Sequence, residues 1–162
     1  MSTRLLKTAF VAIIALLCLA YAGQNIVNLD IAYASFAYVM SNADHALYPN
    51  SFMPAISNPV LLWSALVLVV AGEFLAGLFA AAGAWSMFSA RNAPADEFQQ
   101  AKKNALIGCA LGIVVWLGFF GTFGAAFFQM WQTESGAASM NGAFQYFMSC
   151  AVVFIIVAMT DE

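Results

Sequence analysis

Apolar residues fill four long stretches of this chain, residues 8–27, 61–88, 105–130 and 143–159, and polar residues collect between them. Each stretch approaches or exceeds the roughly 20 residues that a helix needs to cross a bilayer. A helix is the required form there, because lipid offers no partner for backbone N–H and C=O groups. The pattern predicts an all-α polytopic membrane protein, an antiparallel four-transmembrane-helix bundle built as a single membrane domain over residues 1–162. The second and third stretches exceed the needed length and are expected to tilt or to project from the hydrocarbon. Ser57-Asn58-Pro59 places a capping residue before a first-turn proline, a start signal for the second helix. The connections are an outer loop at 29–60, a short polar segment at 90–104 with some helical character, and a small, polar loop at 131–142.

The first stretch admits a second reading. Arg4 and Lys7, an apolar run and Ala20-Tyr21-Ala22 also fit a secretory signal peptide with its small-residue cleavage site. A lipoprotein site at Cys18 would need a small residue before it, and Leu17 is not small. The expectation adopted is a permanent span.

Charge then orients the chain. Arg4 and Lys7 precede the first span, and Arg91, Lys102 and Lys103 fall between the second and third; the other two connections hold no lysine or arginine. Basic residues flanking a span stay cytoplasmic, so both termini and the middle segment are expected inside. Trp63, Trp131, Tyr48 and Tyr146 fall where an outer aromatic belt would lie, and Trp85 where an inner one would.

Composition agrees with the spans and narrows the partners. The chain is 64% hydrophobic and 8% charged, against roughly 25% charged in soluble domains. A net charge of −3 argues against nucleic acid as a partner, since that surface needs a basic face. The expected partners are membrane lipids and other membrane-protein subunits or a second copy of the chain. Cys18, Cys109 and Cys150 each lie inside a span without metal-ligand spacing and are expected to act as small hydrophobes. Asp44-His45 is a weak metal signal, because adjacent side chains diverge and no third ligand is near.

Glu73 is the one ionisable residue within the second span. A carboxylate in hydrocarbon is costly, so it is expected to face the bundle and find a partner. Ala76, Gly77, Ala80, Gly83 and Ala84 follow it on the same helical side as a small-residue strip. Depth can be measured from the cytoplasmic charges at about 1.5 Å per residue. By that ruler Gln24 with Asn25, Glu73, Thr122 and Gln145 reach one approximate layer about 25 Å up, with Asn28 one turn above Gln24. The layer either fixes helix register, which is preferred, or forms a site for a proton, a cation or a polar head group.

Gly108 and Gly112 stand four apart in the third span, a small-xxx-small pair that suits packing within the bundle better than a homodimer seam. Trp116, Phe119, Phe120, Phe123, Phe127 and Phe128 make the same span strongly aromatic. They offer a groove for a lipid or a quinone, though a packed or lipid-facing surface is the commoner use of such residues. No cofactor is otherwise indicated. Residues 31–40 are mostly apolar and aromatic and are expected to lie on the membrane surface or cap the bundle.

Several short motifs recur in order along nearly the whole chain. They are Arg4-Leu5-Leu6-Lys7, Asn25 and Asn28, Ala55-Ile56 with Pro59, Glu73, Ala101-Lys102, Met130-Trp131-Gln132, and Asn141-Gly142 followed by Phe144. In this the chain resembles the bacterial predicted small integral membrane proteins, a domain family of unknown function with four spans. That family often carries Trp-Arg before the Ala-Ile pair; Met53-Pro54 stands there instead, so an ion pair from that arginine cannot form. The resemblance implies a bacterial inner membrane and the same architecture, and it brings no activity.

Three function classes follow, in order of preference. An accessory or scaffold subunit of a larger membrane complex suits the small size and the glycine-rich and aromatic helix faces. A small transporter or ligand-binding protein would use the layer around Glu73, but neither a broken span nor an inverted repeat is visible. An enzyme is left uncertain and ranks last: no catalytic motif is complete, and the lone His45 excludes a bis-histidine haem within one chain.

Overall fold

The computed structural model describes residues 3–161. They form α1 (Thr3–Val27), α2 (Leu29–Met40), α3 (Pro59–Ser89), α4 (Ala95–Ala101), α5 (Lys103–Ile113) and α6 (Glu134–Ala158), with a π-helical segment, Val114–Phe127, continuing α5. Among the described residues there is no strand. Four helical stretches are long and apolar enough to cross a membrane: Thr3–Val27, Pro59–Ser89, Ala95–Phe127 and Glu134–Ala158.

The start of α3 follows its sequence signal. Asn58 accepts from the amide of Val60 at 2.9 Å, and Pro59 opens the first turn, where its missing N–H costs nothing. The helix runs 31 residues, about 46 Å at the usual rise, so it is longer than a bilayer core. α2 occupies the first third of the expected outer loop. Asn28 makes the junction with α1: its amide still bonds Gln24 O at 3.1 Å, and its side chain bonds the same carbonyl at 2.9 Å. α2 lies against α3, with Tyr33 stacked on Trp63 at 4.6 Å between ring centres. Residues 31–40 are therefore helical and rest on the side of the bundle.

Two further elements depart from expectation. α6 begins at Glu134, nine residues before the predicted span, and most of the expected 131–142 loop is its first turns. Thr133 caps it by accepting from Gly136 N at 3.2 Å, a signal hidden among small polar residues. The third span changes helix type at Val114 and stays π-helical to Phe127. Its bonds reach five residues back: Phe128 N meets Phe123 O at 2.9 Å, and Thr122 Oγ1 meets Leu117 O at 3.1 Å. A regular helix to residue 130 was expected; the segment instead ends at Gln129, whose φ of 52° turns the chain into the short Met130–Gln132 helix. The π-helix is rare and mostly confined to single turns, so a 14-residue segment is unusual.

The core is built from small side chains. In lipid the hydrophobic effect does not drive helices together, so close van der Waals contact must. Ala76, Ala80 and Ala84 of α3 face Ala105 and Cys109 of α5 and Val11, Ile14 and Cys18 of α1, all buried. Gly83 lies against the backbone of Ala105, and Gly108 against the backbone of Ala80 and Ala76. Gly77 receives the Leu19 side chain, and Gly112 receives Cys150 of α6. Gly77, Gly83, Gly108 and Gly112 thus each meet a neighbouring helix of the same chain. α6 is the least covered of the spans, with 17% of its apolar window buried against 39% for α1.

Candidate functional site

Glu73 faces inward from α3 and is 2% exposed. Its Oε2 accepts from Asn25 Nδ2 of α1 at 2.9 Å. The small residues on the same face of α3 bring α1 near enough for this bond.

The wider polar layer does not assemble. Gln24 and Asn28 are exposed and bond to each other, with Asn28 Nδ2 3.4 Å from Gln24 Oε1. Thr122 is exposed and turns back to its own helix at Leu117 O. Gln145 is exposed on the outer face of α6, and its side-chain amide bonds no described residue. The residue after it, Tyr146, is the one that enters the bundle, where its hydroxyl pairs with that of Tyr21 and its ring meets Trp116 edge-on at 5.4 Å. Of the polar layer, the side chains that the structure joins from one long helix to another are Asn25 and Glu73. That arrangement suits a register pin between α1 and α3 better than a binding layer.

If so, the bond and not the charge matters. Glu73→Gln keeps a carbonyl acceptor for Asn25 and should shift the thermal unfolding midpoint little. Asn25→Leu leaves a buried carboxyl without its partner and should cost about 1–3 kcal/mol. Equal unfolding midpoints for wild type and Asn25→Leu in detergent would remove the pin.

A second polar cluster was not expected from the sequence. At the other end of the bundle Lys7 of α1 and Lys102, between α4 and α5, converge on Asp161 beyond α6. Lys7 Nζ is 2.9 Å from Asp161 Oδ2, and Lys102 Nζ bonds the same oxygen. The side chains of Lys7, Lys102 and Asp161 are 4%, 0% and 5% exposed. Both ammonium groups also reach the carbonyl of Met159, at 2.7 and 2.8 Å, and Lys102 bonds Gln99 Oε1 at 2.7 Å. Phe98 closes the cluster, with Lys102 5.3 Å and Arg4 4.8 Å from its ring centre. Arg4 binds the carbonyl of Ala93 at 2.6 Å and that of Arg91 at 3.3 Å, so the end of α3 joins the same knot. Burial works to raise the Asp161 carboxyl pKa, but the bonds from Lys102 and Lys7 outweigh it and hold the group below its ordinary range.

In the sequence Lys7 and Lys102 are orientation marks only. Nothing local could pair residues 154 positions apart. Among the described residues Lys7, Lys102 and Asp161 form its buried centre, and its chemistry is that of a clamp.

The remaining chemical candidates are quiet. Cys18, Cys109 and Cys150 are free thiols sealed in the core. Asp44 accepts from Tyr38 Oη at 2.8 Å, and among the described residues no group of three or more histidines, cysteines, aspartates or glutamates is placed to hold a metal ion.

No curated protein and no solved structure matches the chain. A family profile does, over residues 3–160, under the description "Predicted small integral membrane protein (DUF2165)". With four apolar helices of spanning length under a match this complete, the chain belongs to that family of small integral membrane proteins.

Proposed function

We propose that the protein is an accessory or scaffold subunit of a larger complex in the bacterial inner membrane, with its termini and α4 on the cytoplasmic side. The orientation rests on the basic residues, which gather at the end of the bundle holding Lys7, Arg4, Arg91 and Lys102.

The observation that carries the subunit reading is Gln145. It is the twelfth of the 25 residues of α6 and lies beside Tyr146 near the outer end of the span, and it points away from the bundle with its side-chain amide bonding no described residue. An amide on the lipid-facing side of a span, near its border with the head groups, is a ready partner for a polar group on a neighbouring helix. One turn further on, Ser149 is exposed on the same face, and it lines a shallow groove with Phe10 and Ile13 of α1 and Val152 of α6. A groove walled by Ser149, one turn from Gln145 on the least covered span, fits a helix from another membrane protein, since interhelical hydrogen bonds and close packing are what join helices in lipid. The bond from Asn25 to buried Glu73 supports a role in holding α1 on α3, which favours the subunit reading over the transporter alternative.

The test is site-specific photocrosslinking in native membranes. Probes at Gln145 and Ser149 should capture one and the same membrane protein, and a probe at lipid-facing Leu78 should not. Gln145→Leu should weaken retention of that partner about fivefold, the worth of an interhelical bond near 1 kcal/mol, without lowering the unfolding midpoint. Capture of nothing, or of different proteins from the two positions, would remove the subunit reading.

A further inference from the structure

A cavity of about 310 Å³ lies between α2, α3, the π-helical segment and the start of α6. Its walls include Phe36 and Met40 of α2, Leu68 of α3, and Phe120 and Phe123 of the π-helical segment. No charged residue lines it, and its polar side chains are two serines, Ser35 and Ser139. Neither has a donor to spare: Ser35 Oγ bonds Ile31 O at 2.9 Å, and Ser139 Oγ bonds Ser135 O at 3.0 Å.

The lining decides what can enter. Water needs about 2–4 polar partners, and the side chains of this wall offer only the acceptor oxygens of two serines. A quinone ring or a polar head group would likewise find no donor. An empty apolar space of this size forfeits the dispersion contacts of every residue around it. The cavity is partly open to the outside and is walled by helices long and apolar enough to span a membrane, so the chains of membrane lipids are the apolar matter within its reach.

The walls are also held in place. Gln132 Oε1 accepts from the amides of Leu47 and Tyr48 at 3.0 and 2.9 Å, and Gln129 Nε2 reaches Asn50 O at 3.2 Å. These bonds strap the connection after α2 to the residues that end the π-helical segment. The π-helical turns then place Phe119, Phe120, Phe123 and Gly124 along one side of the cavity. We infer that this cavity is a binding site for one acyl chain of a membrane phospholipid, and that the π-helical segment is shaped to form its wall.

The experiment uses the full chain in nanodiscs of dioleoylphosphatidylglycerol, released into mild detergent and weighed by native mass spectrometry. Wild type should keep one phospholipid, and adding that lipid after delipidation should raise its unfolding midpoint. Ala65→Phe fills the cavity from α3 and Ser139→Phe from α6; each should reduce retention at least tenfold and abolish the thermal response. Leu78→Phe, on the lipid-facing side of α3, should change neither. A phospholipid carrying a diazirine on its acyl chain should label wild type at the peptide holding Phe120 and Phe123. Labelling elsewhere, no retained lipid in wild type, or retention unaffected by both filling substitutions overturns the proposal. So does recovery from native membranes of an isoprenoid quinone whose retention, instead of a phospholipid's, is lost in Ala65→Phe.

Discussion

Asp161→Ala should lower the stability of the protein more than any other single change at the charged end of the bundle. The substitution leaves Lys7 and Lys102 side by side, 4% and 0% exposed, without the anion between them. Removing one member of a buried ion pair costs about 3–5 kcal/mol, because the surviving charge keeps its desolvation penalty. Here two like charges survive, and the carbonyl of Met159 is left to hold both. Replacing the whole cluster is different. The triple variant Lys7→Met, Lys102→Met, Asp161→Leu removes every charge with its penalty, and it should recover most of the loss. Thermal unfolding in detergent reads both, and equal midpoints for wild type and Asp161→Ala would mean that the cluster holds nothing.

Acid should act on the same group. The Asp161 carboxyl titrates lower in the folded protein than in an unfolded chain. Its contribution is thus complete above the ordinary aspartate value, near ~3.9, and is lost as pH falls through the lower folded value. Wild type should begin to lose stability only at and below that ordinary value, and Asp161→Asn should lack this part of the acid dependence. A group with a raised pKa would show its loss at higher pH.

How much of this was legible in the sequence depended on which coordinate a residue pattern can report. Hydropathy reports length along the membrane normal, and it found all four spans. The cap at Asn58-Pro59 is a contact between neighbours in sequence, so it was readable too. The depth ruler placed Gln24, Asn25, Glu73, Thr122 and Gln145 at one height, and height says nothing of rotation about each helix axis. Tyr146 turned inward where Gln145 had been expected to, and a single residue of rotation, about 100° at 3.6 residues per turn, moves a side chain from core to lipid. The π-helical segment was invisible for a related reason: Val114–Phe127 is apolar on all sides, so its composition carries no period that could tell five-residue from four-residue bonding. The ion cluster needed tertiary knowledge, since Lys7, Lys102 and Asp161 come from the start, the middle and the end of the chain.

The tightest contact in the bundle makes the other large prediction. α3 and α5 meet backbone to backbone, Gly83 with Ala105 and Ala80 with Gly108. A Cβ at residue 108 would overlap the Ala80 amide and come within 2.8 Å of Ala76 O. These are main-chain atoms inside helices, so no rotamer change can relieve the clash and the helices must separate. Gly108→Leu should therefore cost at least about 3 kcal/mol, the upper part of the range for overpacked cores, and even Gly108→Ala should be harmful. Gly23→Ala is the matched control, because nothing lies within 4 Å of a Cβ there and the change favours the helix. Unfolding midpoints and size-exclusion profiles in detergent separate the two roles a small-xxx-small pair can have. If Gly108 and Gly112 pack within the chain, Gly108→Leu unfolds or aggregates the protein; if they formed a dimer seam, the same variant would stay folded and elute as a smaller species.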